Sequence, residues 1–480
     1  MGSTTSQASI ESDPVYLLEE SFTREFEDYF KRPSTSKIYT SNDVRNRIRQ
    51  LEQTTGIKTA VIYVRFAPTV VAPLKTQCQA QSLQRSAPPS SASSGGASSI
   101  TRSPSVPIDR RFGHLRSDPT GTAQEQSQQQ ECLKAQSSPL ELLAITAEGE
   151  PIRQRVSGAN RANVIAMTQE FQQALTNTKN LNTANYLKPG QQLYRWIVEP
   201  LEVNLQAHQI ENLVFVMDSG LRSLPVAALH NGKGFLVQQY SVSLVPSLSL
   251  TDFRYKDIRP LHVLAMGASE FTEQAPLPGV QVELTTLTEQ LWKGKSFLNN
   301  SFTIENLKAQ RRQEEFGIVH LATHAEFKSG IPNNSYIQFW NRKLRLNELE
   351  ALQLSNPAVE LLVLSACRTA LGNKEAELGF AGSALQAGVG STLATLWYVS
   401  DRGALGVMTE FYRQLSQVPT KSKALQQAQL AMIQGKVRIE NNQLHNSGKS
   451  ILLPPRFSTS ANVNLSHPYY WAAFTLVGEP

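Results

Sequence analysis

An α/β fold built on a mostly parallel sheet, with helices on both faces, is what this 480-residue sequence predicts. Three observations carry that expectation. Two apolar runs of strand length, Gly317-Ile-Val-His-Leu-Ala-Thr-His324 and Leu361-Leu-Val-Leu-Ser-Ala-Cys367, lack the alternation of a half-exposed strand. Continuous apolarity of this kind marks strands buried on both faces of a parallel sheet. The segment between the runs is long enough for the crossover that parallel neighbours require. Strand-like and helix-like segments also alternate from residue 41 to 250 and again after residue 261.

Residues 1–40 read as a weakly ordered lead-in with one amphipathic helix from Tyr16 to Phe30. Ser41-Asn42-Asp43 opens a helix running to Glu52, and Thr59–Phe66 is a strand. From Pro73 to Ser138 the composition collapses into Ser, Gln, Pro and Gly. Such a tract buries too little apolar surface to offset its ordering entropy. It reads as a surface insertion, or as a regulatory or processing loop exposing Arg110-Arg111. A strand at Leu140–Thr146, helices at about Ala162–Leu175 and Gly190–Ala207, and strands at Leu213–Met217 and Tyr240–Val245 complete a first α/β unit over residues 41–255. A second unit, residues 256–480, begins at the strand Leu261–Gly267. Helices near Gln281–Leu291 and Ile304–Arg311 lead to the first long apolar run.

Between the two runs, Ser335–Trp340 and Lys343–Leu346 flank Asn341-Arg342 as a small hairpin. Asn347 opens a helix with Glu350 three residues on, in the manner of a capping box, and Asn356-Pro357 ends it. After Cys367 a charged, Gly-containing loop, Arg368–Ala376, leads to a helix at Glu377–Ala387 with Gly388 as its C′ residue. Ser391–Trp397 is the next strand, followed by helices at about Arg402–Leu415 and Lys421–Ile433. Residues 434–466 read mostly as loop before a last strand near Trp471–Val477.

His324 closes the first run and Cys367 the second. In open α/β sheets the ligand crevice lies beyond the carboxyl ends of the strands, so an imidazole and a thiol at two such ends can serve as base and nucleophile. Taken singly, His324 could be a satisfied core histidine and Cys367 a small buried hydrophobe. His320 lies about 13 Å earlier on its strand at ~3.3 Å per residue, and is read as structural. The other cysteines, Cys78 and Cys132, fall in the low-complexity tract. The three together offer neither a disulfide framework nor a Cys-x-x-Cys metal spacing. No metal or cofactor is expected.

Hydrophobic content of 40% and charged content of 18% describe a chain with ample core. Net charge is +6 and the pI about 9.1, without a dense Lys/Arg run, which disfavours nucleic-acid binding. No segment has the apolar length of a membrane span, and Met1-Gly-Ser-Thr-Thr-Ser lacks the apolar centre of a signal peptide, so a cytoplasmic location is expected.

Val319-His-Leu-Ala-Thr-His-Ala-Glu-Phe327 and Leu362-Val-Leu-Ser-Ala-Cys-Arg-Thr369 resemble the two signature blocks of CHAT domains. These are caspase-like cysteine peptidases, related to metacaspases and separase and often found beside tetratricopeptide repeats. The resemblance continues through Leu393–Trp397 and His467–Phe474 and reaches back to Pro225–His230 and Val245–Leu248, covering most of residues 200–480. It implies a caspase-hemoglobinase fold in which residues 41–255 form a non-catalytic caspase-like unit and residues 256–480 the catalytic one. It also implies a His324–Cys367 dyad cleaving protein substrates, with the backbone N–H groups of Ala325 and Cys367 as oxyanion donors. Pocket candidates by the same resemblance are Glu270, Trp397 and Asp401. Two positions depart from the pattern: Ala325 stands where caspases carry Gly, and Arg368 where CHAT members commonly carry an acid. An acidic Glu270 suits a basic substrate side chain, whereas Arg368 argues the opposite. No tetratricopeptide or other repeat is visible, so a recruiting module is expected in a partner chain. Control is expected from that partner acting through the loop after Cys367, not from self-cleavage. A catalytically quiet scaffold and a thiol acyl transferase or esterase using the same dyad stay open.

Overall fold

The computed structural model describes residues 13–31, 36–67, 135–328, 331–369, 379, 382, 388–455, 457 and 462–480. Two compact units partition the chain, one of Met1–Phe66 with Pro139–Pro480 and one of Ala67–Ser138. The elements below belong to the first. Most of the expected insertion, the loop Arg368–Ala376 beyond Thr369, and most of the helix Glu377–Ala387 lie outside the described residues.

The amphipathic helix expected within the lead-in is present, capped and packed. Asp13 accepts the Val15 and Tyr16 N–H groups at 2.8 and 3.1 Å, with Pro14 in the first turn, and starts α1 (Pro14–Phe30). Glu19 is fully buried on α1 and accepts from the Tyr63 hydroxyl at 2.8 Å and from Ser249 N–H and Oγ, each at 2.7 Å. A buried carboxylate is tolerated only with such partners. Next, α2 (Ser41–Thr55) starts from a Thr40–Asp43 capping box, and β1 (Thr59–Phe66) follows with the bounds the sequence predicts.

The chain resumes with β2 (Pro139–Ile145), β3 (Ile152–Asn160), α3 (Arg161–Thr176), α4 (Leu187–Ile197) and α5 (Glu199–Ala207). The single helix expected over Gly190–Ala207 is thus two. The break falls at Val198-Glu199-Pro200, where proline lacks the N–H an uninterrupted helix needs. Then come β4 (Asn212–Met217), β5 (Ser241–Val245), β6 (His262–Gly267), α6 (Gly279–Thr286), β7 (Gly294–Leu298) and α7 (Ile304–Gln313). The site-bearing strands are β8 (Phe316–Phe327) and β11 (Leu361–Thr369), with the hairpin β9 (Tyr336–Gln338) and β10 (Lys343–Arg345) between them. The helix expected from Asn347 is a 3₁₀ helix, Leu346–Leu352, whose cap is Glu348 accepting the Arg345 N–H at 2.8 Å. Gly388 has φ 68°, the left-handed conformation expected of a C′ glycine.

The remaining strands and helices are β12 (Ser391–Thr395), α8 (Asp401–Leu415), α9 (Lys421–Ile433), α10 (Pro468–Trp471) and β17 (Phe474–Gly478). The stretch read as loop instead holds a four-stranded antiparallel sheet of β13 (Arg438–Glu440), β14 (Gln443–His445), β15 (Ile451–Leu452) and β16 (Val463–Asn464). Asn441 and Asn442, at φ 50° and 59°, make its tight turn.

The main sheet runs β10-β9-β8-β11-β12-β17-β5-β4-β1-β2-β3, with β6 pairing β8 and β7 pairing β6. The pairs β6–β8, β8–β11 and β11–β12 are parallel, as are β5–β17, β4–β5 and β1–β4. The mostly parallel α/β sheet is therefore present. The expected boundary at 255/256 falls between β5 and β6, yet β17 pairs with both β12 and β5 and makes the sheet continuous across it. Alternation along β1 sends Ala60, Ile62 and Val64 into one core and Val61 and Tyr63 into the other. Helices α3, α4 and α5 share the first of these cores, and α1 and α2 share the second, so both faces of this half are covered. No helix of the described residues is long and apolar enough to cross a membrane.

Candidate active site

Both site strands run past the residues expected to end them, β8 by three residues and β11 by two. The neighbouring strands stop sooner. β6 pairs with β8 only as far as Gly267 opposite Ala322, and β12 pairs with β11 only as far as Leu393 opposite Val363. His324 and Cys367 therefore lie beyond the carboxyl ends of the parallel neighbours β6 and β12, while β9 pairs antiparallel with β8 at Ala325 and Glu326.

The register between those strands is broken at this point. It steps from Ser365 opposite Ala322 to Cys367 opposite Ala325, so Thr323 and His324 together oppose the single residue Ala366. This is a β-bulge, a device that bends a strand and re-aims a side chain. Thr323 anchors it, donating its hydroxyl to the Gln338 carbonyl at 2.7 Å. The backbone of Cys367 lies beside that of Ala325, about 4.8 Å away at ordinary strand spacing, and His324 is the next residue along β8.

The His324 ring is partly exposed and held on three sides. Its Nε2–H donates to the Ala275 carbonyl at 2.9 Å, a bond that fixes the tautomer and leaves Nδ1 as the basic nitrogen. Phe271 packs against it at 4.6 Å between centroids, and Tyr398 lies nearly parallel at 6.2 Å and 17°. The sequence reading did not single out these three. Tyr398, with 40% of its surface exposed at the end of the Leu393–Trp397 block, left the clearest signal; a main-chain carbonyl leaves none.

His320 is fully buried, as the sequence reading has it. Its Nδ1 is 3.1 Å from the Tyr412 hydroxyl, and its Nε2 is 2.9 Å from Glu283 Oε1, within ion-pair range but off the line of a hydrogen bond.

The three pocket candidates separate. Glu270 is exposed and lines a cleft of about 650 Å³ with Phe271, Glu273, Trp340, Arg342 and Lys343. Because Phe271 also touches His324, this cleft adjoins the imidazole. Trp397 is buried and donates its indole N–H to the Tyr469 carbonyl at 3.1 Å, which makes it a core residue at this site and Tyr398 the exposed ring. Asp401 opens α8 and accepts the Gly279 N–H at 3.1 Å. Burial pushes its carboxyl up to about 6, helped by the charge of Glu283 and opposed by the Gly279 hydrogen bond and Arg402. Among the described residues no cluster of His, Cys, Asp and Glu could hold a metal ion.

A basic imidazole of fixed tautomer beside a cysteine, at the open edge of a parallel sheet, suits thiol chemistry. The family model of the CHAT domain matches residues 187–479. The chain belongs to the CHAT domain family. The CHAT match takes in β8 and β11, and with them His324 and Cys367. It begins at α4, ahead of residue 256, so the CHAT domain draws strands from both halves of the sheet. No curated protein matches the chain. Among solved structures it is similar to the Saccharomyces cerevisiae separase of a separase–securin complex, at 12% identity and a TM-score of 0.34, over 68% of this chain and 21% of that one. It is also similar to Porphyromonas gingivalis RgpB in a complex of pro- and mature domains, at 9% identity and a TM-score of 0.37, over 66% and 76% of the two chains. The CHAT chain thus matches only about a fifth of the separase chain.

Proposed function

We propose that the chain is a cysteine endopeptidase that cleaves protein substrates through His324 and Cys367. The observation that supports it is the register: Cys367 lies opposite Ala325 on the adjacent strand, one residue from a histidine whose Nε2–H is already engaged. Nδ1 is then the nitrogen that takes the thiol proton, and the thiolate is the nucleophile. Attack forms a carbon–sulfur bond and an oxyanion, for which the backbone N–H groups of Ala325 and Cys367 are the candidate donors. Collapse breaks the carbon–nitrogen bond as the imidazolium protonates the leaving amine. Water then hydrolyses the thioester, with His324 as base. No cofactor enters this scheme.

Substrate side chains adjoining the scissile bond have the cleft at Glu270 available. Its lining mixes Glu270 and Glu273 with Arg342 and Lys343, of which Lys343 pairs with Glu273 at 3.7 Å, and a polar or charged side chain suits such a lining. Control belongs in this reading to a partner protein, with low basal turnover in the isolated chain.

The test is covalent labelling by a peptide chloromethyl ketone, followed by intact mass and peptide mapping. One adduct at Cys367, lost in Cys367→Ala and much slowed in His324→Ala, supports the dyad. Labelling of His324→Ala at the wild-type rate, or no adduct at Cys367, overturns it. Mapping of new protein N-termini, wild type against Cys367→Ala, then separates peptidase from esterase or acyl transferase.

A further inference from the structure

The imidazole of His324 is held by a main-chain carbonyl, so whatever holds that carbonyl also positions the imidazole. Ala275 belongs to the segment between β6 and α6, and the segment is pinned at both ends. At its start, the Ala268 N–H donates to the Ala322 carbonyl at 3.1 Å, and the Ser269 N–H to Asn299 Oδ1 at 2.8 Å. At its end, the Leu277 N–H closes back on the Ser269 carbonyl at 2.9 Å, and the Gly279 N–H meets Asp401 Oδ2 at 3.1 Å. Gly279 is the first residue of α6, where the helix itself offers its N–H no acceptor.

The approach at Gly279 is close. A Cβ there would lie 3.2 Å from the Asp401 Cβ and 3.0 Å from a ring carbon of Phe457. The segment on the other side of this contact is also tied to the imidazole. Tyr398, three residues before Asp401, is the ring lying nearly parallel to His324. The strand-to-helix turn from Tyr398 to Asp401 therefore reaches His324 directly, and again through Gly279 and Ala275.

We infer that Asp401 is a positioning residue for His324, its carboxylate holding the Gly279 N–H and thereby the segment whose Ala275 carbonyl fixes the imidazole tautomer. This deepens the dyad reading and rests on it for its effect on turnover. The inference reassigns Asp401 from the substrate pocket, where the sequence reading put it, to the support of the base. The charged and titratable groups facing Asp401 are Glu283 on α6, Arg402 beside it on α8, and the Tyr398 phenol. Burial raises the carboxyl to about 6, so its charge changes within the pH range tested below.

The experiment uses the full chain as wild type, Asp401→Ala and Asp401→Asn. One readout is the ¹⁵N and ¹H spectrum of the His324 ring, which reports tautomer and titration without any need for turnover. The other is the rate of chloromethyl ketone labelling at Cys367 between about pH 5 and pH 8. Asp401→Ala is expected to lose the fixed Nε2–H tautomer and to label about 10²-fold more slowly, the scale of a misplaced catalytic group. Asp401→Asn keeps an acceptor for Gly279, so labelling is expected to return to within roughly fivefold, the difference between a charged and a neutral hydrogen bond. Its acid limb is expected to lose the component that Asp401 supplies. A folded Asp401→Ala with the wild-type His324 spectrum overturns the inference. Should Asp401→Ala not fold, an Asp401→Asn protein with wild-type His324 titration and acid limb overturns it instead. If Cys367 never labels in the wild type, the dyad reading fails, and the ring spectrum still decides whether Asp401 positions His324.

Discussion

His320 and His324 lie four residues apart on one strand, and alanine should affect them in opposite ways. His320 is fully buried between the Tyr412 hydroxyl and the Glu283 carboxylate, and Glu283 is only 4% exposed. His320→Ala leaves that carboxylate and hydroxyl facing a cavity where the ring had been. Leaving a buried polar group without its partner costs about 1–3 kcal/mol and the cavity adds to that, out of a total stability of about 5–15 kcal/mol for a typical domain. His324 is partly exposed, and the Ala275 carbonyl is its polar partner among the described residues. Its truncation should cost only about 0.5–1.5 kcal/mol, the worth of one ordinary hydrogen bond. On reactivity the order reverses. His324→Ala should slow labelling of Cys367 by about 10²–10⁴, the usual contribution of a positioned acid–base group, while the folded fraction of His320→Ala should label at nearly the wild-type rate. Urea melts followed by near-ultraviolet circular dichroism give the stabilities, and labelling under native conditions gives the rates. A stable His320→Ala protein that fails to label would move the base from His324 to His320 and refute the reasoning.

Two further outcomes follow from the same geometry. Phe66 and Leu140 are paired on the antiparallel strands β1 and β2, so replacing Pro73–Ser138 by a short Gly/Ser linker should close a hairpin and preserve folding, because closure depends only weakly on loop length; insoluble protein or a lost near-ultraviolet signal would count against this. Asp401 has its folded carboxyl raised from an ordinary 3.8 to about 6, so the folded state binds the proton more tightly and stability should fall as pH rises through that window. Asp401→Asn removes the penalty and should melt above wild type at neutral pH, with the gap closing below about pH 4; a variant less stable at neutral pH would show the sign to be wrong.

The parts of this molecule that were legible in the sequence are those where one strand or helix declares its own surroundings. The runs ending near His324 and Cys367 read as buried parallel strands because apolar residues dominate them without a period-two alternation, and a histidine and a cysteine at the ends of such runs stand out against apolar neighbours. The helix of the lead-in is legible from its amphipathic pattern, but the burial of Glu19 on it is not. Only its partners at Tyr63 and Ser249, far away in sequence, make it a buried anchor. The small sheet of β13 to β16 escaped because strands of two or three residues carry too little period to detect, although Asn441-Asn442 was a usable turn signal. The continuity of the large sheet escaped for a different reason. Phe474–Gly478 reads as a strand, but nothing in five residues says that it pairs with both β12 and β5.

At the candidate site the same division separates the proposed reacting groups from what aims them. The imidazole and thiol are side chains of distinctive type, so the sequence exposes them. The bulge at Thr323-His324 depends on how β8 and β11 count against each other, and the support of His324 comes from the carbonyl of Ala275, an acceptor every residue possesses. Replacing Ala275 itself would leave that carbonyl in place, so the support can be probed only through side chains that fix the backbone, and Asp401 is the one that meets the end of its segment. The residue that best tests how His324 is held is therefore one that the family resemblance assigns to the substrate pocket.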